Sequence, residues 1–236
     1  MSVEIAIMQP TFLPWIGYFS MIDRVDRFVY LDSVQFAKRS WQQRNRIKTP
    51  NGELMLSVPV LSKGKREQTI AEAQVDWDSG FSAKQLRSIE TAYRGAPHFA
   101  QYFESLKMKL SEQAPSLADY TIGLIEFLCE SFGITTPRER SSGLRAEGQK
   151  AELLAAICKE LGATRYLSAP GSREYIEESD AFGQAGVSVN YHDYAHPAYP
   201  QGAGEFLPYM GAIDLLFHCG GQAGLRIIRQ GVSGNQ

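Results

Sequence analysis

The apolar run Glu4 to Met8 (EIAIM) stops at Gln9-Pro10, and a second run, Arg27 to Leu31 (RFVYL), follows a short way on. Proline removes a ladder donor, so the first run reads as a buried strand that ends there. Between the two runs Phe19, Ile22 and Val25 recur at every third position, the spacing of a short helix with one buried face. Strand, loop, helix and strand in that order predict a parallel βαβ unit with a right-handed crossover, and with it an α/β fold.

The rest of the chain has to complete that sheet. Asp32 to Trp41 (DSVQFAKRSW) is too polar and aromatic for a clean strand or helix and reads as a functional loop, or a helix turn with a loop. Thr49-Pro50-Asn51-Gly52 separates two extended runs, NRIK and LMLSVPV, and Asn-Gly is a strong hairpin signal. From Ser82 to Phe132 three amphipathic stretches follow one another, with Ser116 as an N-terminal cap and Gly133 as a stop. Ile134 and Thr135 are expected to open another strand. Helices are then predicted at 150–161, 209–218 and 222–229, strands at 165–168 and 187–191, and a fraying tail at 232–236. The organisation expected is an N-terminal α/β part (1–81) carrying the site, a helical insertion (82–133), and a C-terminal part (134–236) that completes one domain.

Composition narrows the function classes. The 236 residues carry 24 basic and 26 acidic side chains, a net charge of −2, so no global field draws the chain to nucleic acid or anionic lipid. The sequence starts without a signal-peptide pattern and holds no apolar stretch long enough to span a bilayer, which predicts a cytoplasmic protein. Cys129, Cys158 and Cys219 are widely spaced among apolar residues and read as buried thiols. Walker A, GxGxxG, HExxH and GxSxG strings are all missing.

Four stretches carry the chemistry. Gln9, Thr11, Trp15, Gly17 and Tyr18 follow the first strand, where open α/β sheets bind ligands and a helix start near Gly17 favours an anion. Asp32, Gln35, Lys38, Trp41, Arg44, Asn45 and Arg46 follow the second strand and are expected to share that cleft, with Arg and Lys set to meet phosphate or carboxylate. Ser168 and Tyr175 flank a third strand end. His196, Tyr199 and Gln201 sit in the stiff HPAYPQ segment. His192-Asp193-Tyr194-Ala195-His196 lacks the three well-placed ligands a metal site needs, so none is expected.

The residues MQPTFLPWIGYFSMIDRVDRFVYLDSVQFAKRSWQQRNRIK, with LSVPV, LGATRYLSAPGSREY and HPAYPQ, resemble the WbqC-like family of bacterial proteins over nearly the whole chain. The resemblance implies a role in O-antigen and other surface-polysaccharide gene clusters, as a transferase moving glycine or another acyl group to an amino sugar. Pro14-Trp15-Ile16-Gly17-Tyr18 also sits where nucleotidyltransferases and pantothenate synthetase carry HxGH, keeping the glycine and neither histidine. That likeness implies a Rossmann-like, nucleotidyltransferase-like parallel sheet.

On this reading Lys38, Arg44 and Arg46 meet phosphate, Gln9, Thr11, Tyr18 and Gln35 orient the substrate, and Asp32 or His196 takes the amine's proton. The donor stays open between an adenylate made from ATP and Mg, an acyl-coenzyme A and a charged tRNA. The alternative is a non-catalytic module that binds a sugar nucleotide or an amino acid.

Overall fold

The computed structural model of the protein describes residues 2–232. Strand β1 (Glu4–Met8), helix α1 (Ile16–Arg24) and strand β2 (Arg27–Tyr30) form the expected parallel unit, with Ile5 opposite Arg27 and Met8 opposite Tyr30. The Asn51-Gly52 turn joins β3 (Arg44–Thr49) to β4 (Gly52–Ser57) in an antiparallel hairpin, where Gly52 adopts a φ of 102°. A small pair, β5 (Val60–Leu61) and β6 (Gln74–Val75), precedes three helices: α2 (Phe81–Tyr93), α3 (Phe99–Ser111) and α4 (Leu117–Phe132). Ser116 caps α4 by accepting from the Asp119 N–H, as its position predicts.

The remaining elements are β7 (Arg138–Arg140), α5 (Lys150–Glu160), β8 (Arg165–Ser168), α6 (Arg173–Glu177), α7 (Ala181–Ala185), β9 (Ser188–Tyr191), α8 (Ile213–Cys219) and α9 (Gly221–Gln230). Five strands form one parallel sheet in the order β7-β2-β1-β8-β9. The fold is therefore the expected Rossmann-like α/β arrangement with an added hairpin.

Two expectations move. The strand foreseen at Ile134 begins at Arg138, because Ile134 closes α4 instead: its N–H reaches Cys129 O at 2.9 Å while Gly133 turns left-handed at φ 79°. The helix foreseen from Tyr209 begins at Ile213, because Tyr209 is left-handed at φ 62° and Gly211 bridges to Trp15. The short helices α6 and α7 were not foreseen. Of the tail expected to fray, residues 233–236 lie outside the described residues, and Val232 bridges to Tyr194.

Strand alternation builds two cores. Ala6, Phe28 and Leu167 point to one face and pack with α1, α2 to α4, α8 and α9. Ile5, Ile7, Val29 and Tyr166 point to the other and pack with α5 and α7. Right-handed crossovers dictate this split: the chain moves outward from β1 to β2 and β7 under one layer, then returns under the other to β8 and β9. Cys129 and Cys158 are buried, and burial pushes both thiols up to about 12, whereas Cys219 is only half-buried.

Candidate functional site

Between β1 and β8 the winding reverses, so the loops leaving their C-terminal ends part toward opposite faces and leave a crevice. Four cavities open around that point. On the α5 face, about 300 Å³ is lined by Gln9, Thr11, Trp41, Gln42, Ser172 and Tyr175, and about 600 Å³ by Gln9, Ser33, Gln35, Gln149, Lys150 and Tyr175. On the α1 face, about 330 Å³ is lined by Thr11, Trp15, Trp41, Arg46 and Tyr209, and about 240 Å³ by Trp15, Gly17, His192 and Asp193. Met8, Thr11 and Trp41 are common to cavities on both faces, so the two sides meet at the end of β1. A further cavity of about 670 Å³ under the hairpin tip, lined by Asn51, Leu54 and Arg87, is remote from the strand ends.

Backbone bonds make the α1-side frame rigid. Phe12 N–H donates to Trp41 O at 3.0 Å, Gly211 N–H to Arg46 O at 2.9 Å and Ala212 N–H to Pro14 O at 2.8 Å. The Asn45 amide donates to Leu13 O at 2.6 Å and Phe12 O at 3.2 Å, which ties the first loop to β3. Leu13 is left-handed at φ 44°, and Asn45 holds it there. On this frame Trp15 packs edge-on against Tyr194 and Tyr209 and stacks on His196 with centroids 5.8 Å apart. Arg46 and Arg44 lie over Trp41, 5.6 and 6.0 Å from its ring centroid.

The structure separates the expected site residues into three groups. Gln9, Thr11, Trp15, Gly17, Tyr18, Gln35, Trp41, Asn45, Arg46 and Tyr175 all line the crevice. The two constellations from the ends of β1 and β2 are therefore brought together, with Gln42 donating to Gln9 Oε1 at 2.8 Å across the join. Arg44 sits beside them on β3, half-buried, its Nε without an acceptor.

A second group serves the frame. Asp32 is fully buried and spends its carboxylate on Arg140 at 2.6 Å, Ser142 Oγ at 2.9 Å and the Ser142 N–H at 2.9 Å, so it is no accessible base. Ser168 is fully buried, with its hydroxyl on Ala169 O. Tyr199 donates to buried Asp214 at 2.9 Å, and Gln201 holds both the N–H and the carbonyl of Leu207. Ser168, Tyr199 and Gln201, expected to bind substrate, are thus buried and hydrogen-bonded within the frame. His196 stands behind Trp15: its Nδ1 lies 2.9 Å from Pro197 O, and burial lowers its pKa, leaving Nε2 as an unpartnered acceptor. Lys38 is exposed and lines none of these four cavities.

The helix start near Gly17 is also not an open anion seat. A β-carbon there would stand 2.2 Å from the Trp15 ring, so the indole itself covers that backbone. Sequence reasoning passed over Gln42, Lys150 and Tyr209, and weighed Asp193 only as a metal ligand within the His192 to His196 cluster. Lys150 and Tyr209 come from segments distant in sequence, and their left-handed backbones, φ 49° and 62°, leave no trace in composition. Asp193 is the only carboxylate lining the four cavities, beside a buried His192 whose pKa burial and Arg24 depress to about 4. The Arg24 guanidinium lies 3.1 Å from His192 Nδ1. His192 and His196 thus face different neighbours, and among the described residues no three His, Cys, Asp or Glu side chains gather as a metal-ligand set.

A family model described as the WbqC-like protein family matches residues 9–225. A protein of Mycobacterium tuberculosis (strain ATCC 25618 / H37Rv), "Uncharacterized protein Rv1507c", is 36% identical over 231 residues, covering 96% of this chain and 99% of its own length. No solved structure matches. No helix among the described residues is long and apolar enough to cross a membrane.

Proposed function

From a chain that belongs to the WbqC-like protein family, we propose an enzyme that joins a small acyl or aminoacyl group, glycine foremost, to the amine of a nucleotide-linked amino sugar in bacterial surface-polysaccharide assembly. One observation carries the reading: two sets of cavities on opposite faces of the sheet meet at Met8 and Thr11, an arrangement suited to two substrates that must touch. Holding both in register makes the step effectively intramolecular. The amine nitrogen forms a bond to the acyl carbon, the bond from that carbon to its carrier breaks, and Asp193 takes the proton released by nitrogen. Asp193 replaces Asp32 in that role because it is exposed to the crevice.

The non-catalytic reading, a sugar-nucleotide or amino-acid binding module, is favoured by a specific feature: the α5-side cavities are lined by amides, hydroxyls and one cation, Lys150, with no acid or base. Turnover separates the two. The test incubates the protein with a nucleotide-linked 4-amino sugar and, in separate tubes, glycine with ATP and Mg, an acyl-coenzyme A, and glycyl-tRNA, and seeks the amide by mass spectrometry. Product in one tube is expected, and Asp193→Asn should lower its rate about 10²- to 10⁴-fold. Binding of the sugar nucleotide without product from any donor would favour the binding module.

A further inference from the structure

The α1-side cavity contrasts with the rest of the crevice. Trp41 is 49% exposed and Tyr209 47% exposed, although aromatic rings of this size are usually covered. Both line the cavity of about 330 Å³, as does Trp15, which packs edge-on against Tyr209. Tyr209 is kept there at φ 62°, a conformation that glycine would adopt freely. Arg46 lies over the Trp41 ring with part of its guanidinium on Glu53, and Arg44 lies over the same ring with its Nε unpartnered. No carboxylate lines this cavity.

Exposed ring faces beside two guanidinium groups suit a planar, anionic ligand. Resting on the transferase reading above, we infer that this cavity seats the nucleoside diphosphate part of the sugar nucleotide, the base against Trp41 and Tyr209 and the phosphates toward Arg44 and Arg46. The sugar then extends past Met8, Trp15 and Tyr18, which this cavity shares with the one that Asp193 lines, and meets the acyl donor coming from the α5 side at Met8 and Thr11. A bare sugar in the α1-side cavity has less to bind: Asn45 is spent on Phe12 and Leu13, and the Tyr18 hydroxyl on Gln9 O.

Intrinsic fluorescence reads this cavity directly, since Trp15 and Trp41 line it while Trp77 packs on Phe81 and Tyr120. Uridine, cytidine and adenosine diphosphates are titrated beside pyrophosphate and free glucosamine. Saturable quenching by at least one nucleotide is expected, at concentrations where pyrophosphate and glucosamine do nothing. By calorimetric titration, Trp41→Ala and Tyr209→Gly should each weaken that nucleotide about tenfold or more. Equal quenching by pyrophosphate, no quenching by any nucleotide, or wild-type affinity in both variants would overturn the assignment. Nucleotide binding without acyl transfer removes the transferase and keeps this cavity's role. Transfer with an unchanged KM for the sugar nucleotide in Trp41→Ala keeps the transferase and removes it.

Discussion

Asp32 and His192 show what a residue's neighbours decide. As sequence, Asp32 after a strand looks like a candidate base, and only its partners from residues 140–142 reveal a buried carboxylate already consumed. His192 is the reverse case, a histidine whose burial and proximity to Arg24 depress its pKa to about 4 although Asp193 works against them. Unfolded, it titrates near the usual ~6.5. The unfolded chain therefore binds the proton first, so His192's contribution is complete above about pH 6.5 and is lost as pH falls toward 4. The loss is on the order of 3 kcal/mol for a shift of this size. Asp119 and Glu126 also lose stability on acidification: burial raises them, but bonds from Ser116 and Arg140, and from Arg138 and Tyr30, outweigh it and hold both low. Urea unfolding at pH 6.5 and pH 4 of the native protein and of His192→Asn isolates the histidine, because the carboxylates are common to both. The native protein should lose on the order of 3 kcal/mol more than the variant; equal losses would assign the effect elsewhere.

Elements with a full period were readable and those without one were not. The helices α2, α3 and α4 announce themselves by amphipathic spacing, and the hairpin by Asn51-Gly52. Strands β5 and β6, two residues each, are too short to show any alternation. Helix α1 was legible as a helix, yet the function of its first turn was not, because the side chain that covers Gly17 is the preceding residue's own indole. That gives glycines in two helices opposite expected responses. In α4, Gly123 has nothing within 4 Å of a built β-carbon, so Gly123→Ala should stabilise by about 0.5–1 kcal/mol through helix propensity. In α1, the same change at Gly17 drives a methyl to 2.2 Å from the Trp15 ring, and overpacking should destabilise by about 1–3 kcal/mol. Chemical denaturation of both variants, with tryptophan emission recorded in the folded state, checks the signs. An emission shift is expected for Gly17→Ala alone, and a stabilised Gly17→Ala would mean that the indole is free to leave.

At the scale of the molecule, β1's neighbour β8 lies some 160 positions away, so the crevice between them depends on a pairing that no local pattern encodes. What the sequence did carry was the parallel unit and the handedness rule, which together restrict where the helices can go. The helices of 82–133 illustrate the limit. They read as an insertion, and they cover one sheet face: Phe132 packs on Phe19 at 5.7 Å between ring centroids, Tyr120 stacks on Phe12 at 6.2 Å, and the Tyr30 hydroxyl donates to Glu126 at 2.7 Å. The Leu117 N–H reaches Ala73 O at 2.6 Å, and α4 also lies against α9 from the far end of the chain. Removing these helices would expose Phe19, Phe28 and Tyr30, all buried now. A layer that shares its core with the sheet cannot melt first without uncovering that surface, so the described fold should unfold as one cooperative unit despite a length at which separate steps are common. Scanning calorimetry should return a single transition whose calorimetric and van't Hoff enthalpies agree, with far-ultraviolet ellipticity and Trp77 emission changing together. Trp77 is the informative probe because it packs on Phe81 and Tyr120, at the seam between β6 and the helical layer. Loss of its emission contrast well below the main transition would mean that 82–133 separates as a unit of its own, and the frame that holds Phe12, Leu13 and the crevice would then be carried by the sheet and hairpin alone.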